Sequence, residues 1–322
     1  MKNFARIIGT GSYLPAKIVT NFDLEKTLDT SDEWISSRTG IKERRIVTNE
    51  STCDLAFEAS KKALEMAEIS ATEIDIIILA TTTPDKIFPA TATMLQHQLG
   101  ATCPAFDMQA VCAGFVFALQ TAQQYIENGT AKNILVVGSE IMSKIVDWSD
   151  RSTAIIFGDG AGAVVLSADS TSGIMHSKLY SDGSYLSSLH VNNNRINEIG
   201  TIEMAGNEVY KIAVKRLSDL AEETLKNCSM TADDLTWMIP HQANIRIISA
   251  VAKRISLPMS KVILTLEKHG NTSAASIPLA LDVGVRDGRI KKGDKLLFEG
   301  IGGGFSWGSI LVEYLNLKRT LH

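Results

Sequence analysis

Cys112 is the first of three distant residues in this chain whose side chains suit nucleophilic chemistry. It lies in Asp107-Met-Gln-Ala-Val-Cys112-Ala-Gly-Phe115, between a short apolar stretch and a helical pattern. A thiol at a strand-to-helix turn lies beside unpaired backbone N–H groups and the positive end of the helix dipole. That position can lower a thiol pKa of about 8.5 by one to several units, so we expect a nucleophile near neutral pH. In isolation, a cysteine is more often a small buried hydrophobe.

His241 and Asn271 are the two polar residues that could act with this thiol. Pro-His-Gln-Ala-Asn (240–244) directly follows the predicted strand Leu235–Ile239, at the edge where open α/β sheets bind ligands. His-Gly-Asn-Thr-Ser (269–273) leads into a predicted helix. Taken alone, His241 would be a hydrogen-bonded structural histidine and Asn271 a helix cap.

An internal repeat relates these residues to one another. Ile74 and Leu235 each begin an apolar strand pattern after a polar cap, and they are 161 positions apart, half of the chain. Two halves related by an approximate twofold axis would bring equivalent strand ends and helix starts to one point. We therefore expect Cys112, His241 and Asn271 to share one pocket. Further blocks match at nearly the same shift: Cys112–Leu119 with Ala274–Leu281, and Ile134-Leu135 with Leu296-Leu297.

The predicted elements indicate an α/β fold with parallel strands, because nearly continuous apolar runs alternate with helical patterns. The chain divides into an N-terminal half, residues 1–170, with the cysteine, and a C-terminal half, residues 171–322, with His241 and Asn271, packed as one unit. Residues 171–205, rich in Ser, Asn and Gly, are predicted to link them. The other predictions are strands Phe4–Gly9, Ile74–Ala80, Asn133–Val137, Ala163–Leu166, Lys295–Phe298 and Ser309–Tyr314, a turn at Gly9–Pro15, and helices from Ser51 to about Met66 and over Val214–Lys226.

Composition limits the classes of function. With 322 residues, 45% hydrophobic and 21% charged, the chain is typical of a globular enzyme. Its net charge of −4 argues against nucleic acid as a principal partner, and no apolar run approaches the roughly 18 residues of a membrane span. The four cysteines have no C-x-x-C spacing, so neither a zinc site nor a disulfide framework is predicted. A reducing, cytoplasmic location is expected.

Four motifs in order resemble those of β-ketoacyl-acyl carrier protein synthase III, the initiating condensing enzyme of bacterial fatty acid synthesis. They are Asp-x-x-x-x-Cys-Ala-Gly-Phe, Pro-His-Gln-Ala-Asn, His-Gly-Asn-Thr-Ser and Gly-Gly-Gly-Phe-Ser-Trp-Gly. The resemblance implies a thiolase-like fold with five αβαβα layers. It also implies decarboxylative condensation of an acyl-CoA, acetyl-CoA being the expected one, with malonyl-acyl carrier protein. A condensing enzyme of secondary metabolism and 3-hydroxy-3-methylglutaryl-CoA synthase remain alternatives within the superfamily.

The resemblance implies a role for each polar residue of the pocket. Cys112 would carry the acyl group as a thioester, and the N–H groups of Cys112 and Gly303 would bind the oxyanion. His241 and Asn271 would donate hydrogen bonds to the enolate formed when malonyl loses CO₂. No metal or redox cofactor is implied, and a homodimer is. Ile301 departs from the family, in which an aromatic residue often precedes the three glycines.

Residues for CoA and for the carrier protein are implied in the same way. Trp34, Arg38 and Arg151 resemble the residues that hold the adenine and its phosphates, while Asn207, Asn244 and Arg246 resemble those lining the pantetheine tunnel. Phe88 resembles a residue that closes the acyl pocket across a dimer interface, with an ordinary core phenylalanine as the alternative; Phe157 and Met204 would shape that pocket. Basic residues on two helices are predicted to dock the acidic carrier protein: Lys211, Lys215, Arg216, Arg246, Lys253 and Arg254.

Two other classes of function use similar residues. A papain-like hydrolase also combines Cys, His and Asn, and the 129 residues between Cys112 and His241 suit one. However, the Cys-Gly-x-Cys-aromatic signature is missing and the halves are repeated. A non-enzymatic binding protein of the same fold would not need all three polar residues in one pocket.

Overall fold

Strands and helices alternate along most of the chain, and the computed structural model describes residues 3–192 and 200–315. The strands in these ranges are β1 (Phe4–Tyr13), β2 (Lys17–Thr20), β3 (Glu43–Ile46), β4 (Ile76–Ala80), β5 (Ala105–Met108), β6 (Asn133–Ile141), β7 (Asp159–Asp169), β8 (Ile174–Ser181), β9 (Leu189–Val191), β10 (Ile202–Met204), β11 (Trp237–Pro240), β12 (Asp294–Gly302) and β13 (Ser306–Tyr314). The α-helices are α1 (Asn21–Leu24), α2 (Asp32–Thr39), α3 (Thr52–Ala67), α4 (Thr91–Leu99), α5 (Gly114–Glu127), α6 (Arg151–Ala154), α7 (Gly206–Asn227), α8 (Ile245–Arg254), α9 (Leu266–His269) and α10 (Ser276–Arg286).

Two sheets form the framework of the molecule. The first has the strand order β1-β7-β6-β4-β5 and the second β11-β12-β13-β8. Helices α5 and α10 pack between the sheets, α3 covers the outer face of the first, and α7 and α8 cover the outer face of the second. The expected five layers are therefore present. In β4, Ile76 and Ile78 face the central helices while Ile77 and Leu79 face α3, which explains the continuous apolar run.

The prediction of parallel strands is confirmed for only part of each sheet. Strands β4, β5 and β6 are parallel, but β7 runs antiparallel to both β6 and β1. Parallel pairing needs a crossover across the face of the sheet, usually by a long helix. The connection from β6 to β7 contains only short helical turns, including the four-residue α6. The chain therefore returns beside β6 in the opposite direction.

The two halves repeat the same arrangement, as the sequence repeat predicts. Strands β4, β6, β7 and β1 of the first sheet correspond to β11, β12, β13 and β8 of the second, and Val262 forms a parallel bridge to Met238 where β5 pairs with β4. Val111 and Ser273 occupy equivalent turns before α5 and α10, with φ of 49° and 50°. The first sheet ends at Asp169 and the second begins at Ile174. The division at residues 170 and 171 stays a prediction.

Gly9 and Gly11 lie in β1, which continues to Tyr13. The predicted turn at Gly9–Pro15 is therefore wrong for residues 9–13. A Cβ atom at Gly9 would lie 2.2 Å from the carbonyl oxygen of Ala63, and one at Gly11 would lie 2.2 Å from that of Ala59. The glycines therefore let α3 approach the backbone of β1, which is a role of glycine within a strand rather than at a turn.

The predicted helix starts agree with the structure where a polar side chain caps the helix. The Ser51 hydroxyl accepts the Asp54 N–H at 3.1 Å, while the Asp54 carboxylate accepts the Ser51 N–H at 2.9 Å. Helix α7 begins eight residues before the predicted Val214, because its first turns are largely exposed and show little apolar periodicity. Within residues 3–192 and 200–315, no helix has the length and apolar character needed to cross a bilayer.

Glu299 is a fully buried carboxyl group on β12. Both of its oxygens lack a hydrogen-bond partner among the described residues, and no cation is paired with it there. Burial therefore raises the pKa of Glu299 well above its ordinary value. The native protein should hold a proton at this carboxyl group that the unfolded chain releases.

We predict that Glu299→Gln removes part of the pH dependence of stability. The stabilisation tied to a raised carboxyl pKa is complete below the unfolded value, about 4.5, and is lost as pH rises through the folded value. Between pH of about 5 and about 8, the wild-type free energy of unfolding should fall relative to the variant by up to about 1.4 kcal/mol per pH unit. Urea denaturation across this range measures the difference. Parallel curves for the two proteins would contradict the prediction.

Candidate active site

Cys112 lies in a tight helical turn, Val111–Ala113, between β5 and α5. Val111 adopts a positive φ of 49°, which is strained for a β-branched residue. This conformation turns the chain sharply between Met108 and Gly114, so that Cys112 is held at the start of the buried helix. Its exposed fraction is only 5%.

His241 follows the last residue of β11 and is fixed from its backbone and its ring. Its N–H donates to the Glu299 carbonyl at 2.7 Å, which continues the pairing of β11 with β12. Its ring Nδ1 lies 2.7 Å from the hydroxyl oxygen of Ser276 on α10. The ring is 4% exposed, and its Nε2 is the nitrogen left for a ligand.

Asn271 is held by both its backbone and its amide oxygen. Its N–H donates to the Ile156 carbonyl at 2.9 Å and its carbonyl accepts the Gly158 N–H at 3.0 Å. Its side-chain Oδ1 accepts the Ser273 N–H at 2.8 Å. The oxygen thus caps the turn Ser273–Ala275, as the helix-cap interpretation expects, and the amide's Nδ2 donors are left for a ligand.

The three residues line one cavity, as expected from the repeat. This cavity has a volume of about 150 Å³ and also contacts Phe157, Met204, Asn244 and Ile301. A second, mostly apolar cavity of about 270 Å³ meets it at Cys112, Phe157 and Leu189 and extends to Gly303, Met142 and Ile202. The thiol therefore lies where the cavity that contains His241 and Asn271 joins the larger apolar cavity.

Burial controls the charge of the thiol and the imidazole. Desolvation raises the pKa of the Cys112 thiol to about 12. The expected lowering of this pKa is therefore wrong, because burial removes the water that would stabilise a thiolate. Burial also lowers the pKa of His241 to about 3. The resting site consequently holds a neutral thiol and a neutral imidazole.

The triglycine turn reaches the backbone of the cysteine. A Cβ atom at Gly302 would lie 2.6 Å from the Cys112 nitrogen, so only glycine fits there. Gly303, the next residue, lines the apolar cavity together with Cys112. The backbone at Cys112 and the backbone at Gly303 therefore border the same apolar cavity. Gly303 as an oxyanion donor stays a prediction.

Trp34, Arg38 and Arg151 form a cluster on the surface. The guanidinium carbon of Arg38 lies 5.8 Å from the centre of the Trp34 ring, and that of Arg151 lies 4.8 Å from it. Arg151 also donates to the Asp29 carbonyl at 2.8 Å. The cluster matches the grouping implied for the nucleotide end of CoA, but these residues do not line either cavity.

The residues expected along the tunnel and acyl pocket divide into two groups. Asn244, Phe157 and Met204 line the cavities, whereas Asn207 is exposed at the start of α7 and is not among the lining residues. Arg246 is exposed on α8, with its guanidinium 5.6 Å from the Tyr210 ring centre. Phe88 is 84% exposed, so its interpretation as an ordinary core residue is wrong.

The six residues of the predicted docking surface are not equally available. Lys215 pairs with Asp219 at 2.8 Å, and Arg254 pairs with the same carboxylate and with Glu222. Arg216 lies 3.5 Å from Asp182. The remaining three are exposed and form no ion pair within the described ranges: Lys211, Arg246 and Lys253.

Sequence reasoning missed several residues that shape the site. Gln242 and Ser276 together fix His241. Gln242 lies within the Pro-His-Gln-Ala-Asn motif and Ser276 lies three residues after the His-Gly-Asn-Thr-Ser motif, so proximity to a motif was the available signal. Leu189 and Ile202 line the apolar cavity from the segment predicted only as a link. Within the described residues, no group of three or more His, Cys, Asp or Glu side chains could hold a metal ion.

The sequence matches known proteins along its whole length. Residues 106–183 match the family described as 3-oxoacyl-[acyl-carrier-protein (ACP)] synthase III, and residues 225–314 match its C-terminal domain. The chain is 69% identical over 314 residues to the β-ketoacyl-[acyl-carrier-protein] synthase III of Vesicomyosocius okutanii subsp. Calyptogena okutanii (strain HA), covering 98% of this chain and 100% of that protein. The chain belongs to the β-ketoacyl-acyl carrier protein synthase III family.

Solved structures of synthase III proteins and their relatives share the fold. The crystal structure of 3-oxoacyl-[acyl-carrier-protein] synthase III from Aquifex aeolicus VF5 is 48% identical, with a TM-score of 0.94 over 96% of this chain and 100% of that one. The priming β-ketosynthase of the R1128 polyketide pathway is 36% identical, with a TM-score of 0.94 over 98% of this chain and 97% of that one. The thiolase-like fold and the identification as an acyl-transferring condensing enzyme are confirmed, and the papain-like interpretation is wrong.

We predict that Gly302→Ala slows acylation of Cys112 by about 100-fold, the usual cost of losing one oxyanion donor. The added Cβ would displace the triglycine turn from the Cys112 nitrogen. Gly183→Ala is the matched control, because no atom lies within 4 Å of a Cβ there and its φ is not positive. Mass spectrometry of the acyl adduct on Cys112 measures the rate. Normal acylation in a folded Gly302→Ala variant would contradict the proposed contact.

Proposed function

We propose that this protein condenses an acyl-CoA with malonyl-acyl carrier protein, releasing CO₂ and CoA and forming a 3-oxoacyl-acyl carrier protein. The observation that carries the proposal is the common cavity of Cys112, His241 and Asn271 in a chain of this family. The reaction initiates fatty acid synthesis. Acetyl-CoA is the expected acyl donor.

In the first step, the Cys112 sulfur attacks the thioester carbonyl of the acyl-CoA. A bond forms from Sγ to the carbonyl carbon, the bond to the CoA sulfur breaks, and the thiol proton leaves with CoA. Because the site holds neutral groups at rest, this proton transfer leaves no net charge in the buried cavity. The N–H groups of Cys112 and Gly303 would bind the transient oxyanion.

In the second step, the malonyl thioester would bind in the cavity that contains His241 and Asn271. The Nε2–H of His241 and the Nδ2 of Asn271 would donate to its thioester oxygen. The bond to the carboxylate then breaks, CO₂ leaves, and the enolate attacks the acyl-Cys112 carbonyl. The cysteine sulfur departs as a thiolate and takes a proton from solvent, which restores the neutral thiol. Each hydrogen bond stabilises charge that develops only as the carbon–carbon bond breaks, which is where a donor is most effective.

These steps require no metal or redox cofactor, and the acyl chain and CoA would enter from opposite sides of Cys112. The apolar cavity of about 270 Å³ would take the acyl group. The channel beside Asn244 and Met204 would take the pantetheine, and the Trp34 cluster the nucleotide. Asn207 and Arg246, which lie outside the cavities, would contact CoA only near the entrance. A cytoplasmic location stays a prediction.

We predict that Cys112→Ser abolishes acyl-enzyme formation, while Asn271→Ala leaves it intact and slows malonyl decarboxylation by about 100-fold or more. Asn128→Ala, at the exposed end of α5, is the control and should behave like the wild type. Acylation is measured by the mass of the protein after incubation with acetyl-CoA, and decarboxylation by release of labelled CO₂ from malonyl-acyl carrier protein. Unchanged decarboxylation in the Asn271 variant would remove that residue from the mechanism.

The carrier protein would dock on the basic side chains of α7 and α8. In both helices these residues lie beside cavity-lining residues such as Val209, Tyr210 and Ile247. Lys211, Arg246 and Lys253 form no ion pair within the part of the chain that the structure describes, whereas Lys215, Arg216 and Arg254 are already paired with acidic residues. We therefore expect the first three to provide most of the attraction for an acidic partner.

We predict that Lys211→Glu raises the KM for malonyl-acyl carrier protein by roughly fivefold to tenfold at low salt, with acyl-CoA priming unchanged. The reversed charge repels the acidic partner without entering the cavity. Lys292→Glu is the matched control, because Lys292 is exposed before β12, at the end opposite Gly302. An equal effect of both variants, or none from Lys211→Glu, would contradict the docking surface.

A homodimer would cover the apolar loop beside the edge of the first sheet. Strand β5 is an edge strand, and its Asp107 carboxylate accepts the N–H groups of Thr91 and Ala92, which anchors the preceding loop. Ile87 and Phe88 of that loop are 97% and 84% exposed. An open strand edge beside two exposed apolar side chains favours association. Phe88 would then reach the partner's acyl pocket.

The similarity to the R1128 priming β-ketosynthase favours a second candidate, a priming enzyme of secondary metabolism with the same chemistry. The apolar cavity of about 270 Å³ also exceeds the need of an acetyl group, since a protein cavity of about 150 Å³ can hold benzene. Turnover across a series of straight and branched acyl-CoA primers, with malonyl-acyl carrier protein and malonyl-CoA compared, separates the candidates. A 3-hydroxy-3-methylglutaryl-CoA synthase would instead use acetoacetyl-CoA.

A further inference from the structure

We propose that Ser276 is a positioning residue that holds His241 as the neutral tautomer with its proton on Nε2. The consequence for catalysis rests on the proposed function, because this tautomer is the one that can donate to the malonyl thioester oxygen. The tautomer itself follows from hydrogen bonds around the ring and can be measured without any substrate.

Ser276 is the first residue of α10 and is 2% exposed. Its hydroxyl oxygen lies 2.7 Å from Nδ1 of His241. The backbone N–H of Gln242 donates to the same oxygen at 3.2 Å. The hydroxyl therefore has two hydrogen-bonding neighbours. One of them, the Gln242 N–H, can only donate a hydrogen bond.

The number of hydrogens available decides the direction of the bond to the ring. A serine hydroxyl has one hydrogen to donate and two lone pairs that accept. If Nδ1 carried the proton, Ser276 would accept from both Nδ1 and Gln242, and its own hydrogen would have no acceptor among the described residues. An unpaired buried donor is costly. If the hydroxyl instead donates to Nδ1, every group is satisfied and the ring proton lies on Nε2.

The side chain of Gln242 keeps its backbone N–H directed at Ser276. Its Nε2 donates to the carbonyls of Pro240 and Ile263 at 2.8 and 3.1 Å. Its Oε1 accepts the N–H groups of Thr265 and Leu266 at 2.9 and 3.3 Å. All hydrogen-bonding atoms of this fully buried amide are used, so the peptide next to His241 cannot easily rotate. The ring is thus constrained from β11 on one side and from α10 on the other.

Only the C-terminal half of the chain has a serine at the first position of its central helix. Ser276 begins α10 as Gly114 begins α5, where a Cβ atom would meet Ala80 at 3.2 Å and Ala274 at 3.4 Å. The half that carries the nucleophile therefore has no hydroxyl at this point. The half that carries the histidine does.

The tautomer is tested directly by ¹⁵N NMR of the wild-type protein labelled at histidine. The chain has six histidines, and comparison with a His241→Ala variant assigns the signals of His241. We expect a protonated Nε2 and an unprotonated Nδ1. A protonated Nδ1 would overturn the proposal, whatever reaction the protein catalyses.

The functional consequence is tested with Ser276→Ala. We expect decarboxylation of malonyl-acyl carrier protein to fall about tenfold, the size typical of one buried hydrogen bond, while the rate of Cys112 acylation changes less than twofold. Ser309→Ala is the matched control, because it removes another buried hydroxyl, bonded to Thr224 at 2.5 Å, away from the cavities. It should leave both rates unchanged.

Further outcomes separate positioning from a general loss of structure. Restored decarboxylation in Ser276→Thr, which keeps the hydroxyl, would support the proposal. An equal fall of both rates in Ser276→Ala, or unchanged decarboxylation, would overturn it. Absence of decarboxylation in the wild type would instead refute the proposed function, and the NMR result on the tautomer would stand.

Discussion

The site depends on close packing between the two halves of the chain. In each half, one strand approaches the start of a helix that belongs to the other half. A Cβ atom at Gly138, on β6, would lie 2.4 Å from the carbonyl oxygen of Ala274 before α10. In the equivalent contact, a Cβ atom at Gly300, on β12, would lie 3.3 Å from the carbonyl oxygen of Cys112 before α5. These crossed contacts bring both turns to the centre of the molecule. The cysteine, histidine and asparagine share a cavity because this packing holds the layers so close together.

Burial explains why the site holds neutral groups. Cys112, His241 and Asn271 are only 5%, 4% and 6% exposed, so water cannot stabilise charge on them. The thiol pKa is therefore raised and the imidazole pKa lowered. A neutral imidazole donates a hydrogen bond without the cost of a buried charge, which suits a reaction whose negative charge develops only transiently.

On the surface around the cavity, ion pairs rather than burial determine how much positive charge is available. On α7 and α8, exposed basic residues have neighbouring carboxylates, and several form ion pairs, such as Lys215 with Asp219. Exposed pairs contribute little to stability, and salt weakens them further. They do, however, reduce the charge that a partner would meet. Any attraction of these helices for an acidic protein would consequently come from cations that form no ion pair within the described residues, such as Lys211.

The sequence alone determined the features that depend on neighbouring residues or on repetition. The cap at Ser51, the strand that contains Ile76–Ala80 and the shift relating Ile74 to Leu235 are local or periodic, and all three agree with the structure. The motifs around Cys112 and His241 also indicated the family. A hydrophobic period is fixed by the backbone geometry of one element, so it needs no knowledge of distant contacts.

The tertiary structure decided what depends on distant atoms. Gly9 and Gly11 belong to a strand because α3 packs onto them, and β7 is antiparallel because no long helix carries the chain across the sheet. The pKa of Cys112 rises because residues far away in sequence exclude water from it. The contact of Ser276 with His241, 35 residues apart, likewise exists only when both layers are in place. Desolvation and hydrogen-bond partners are properties of the assembled core, and no local pattern encodes them.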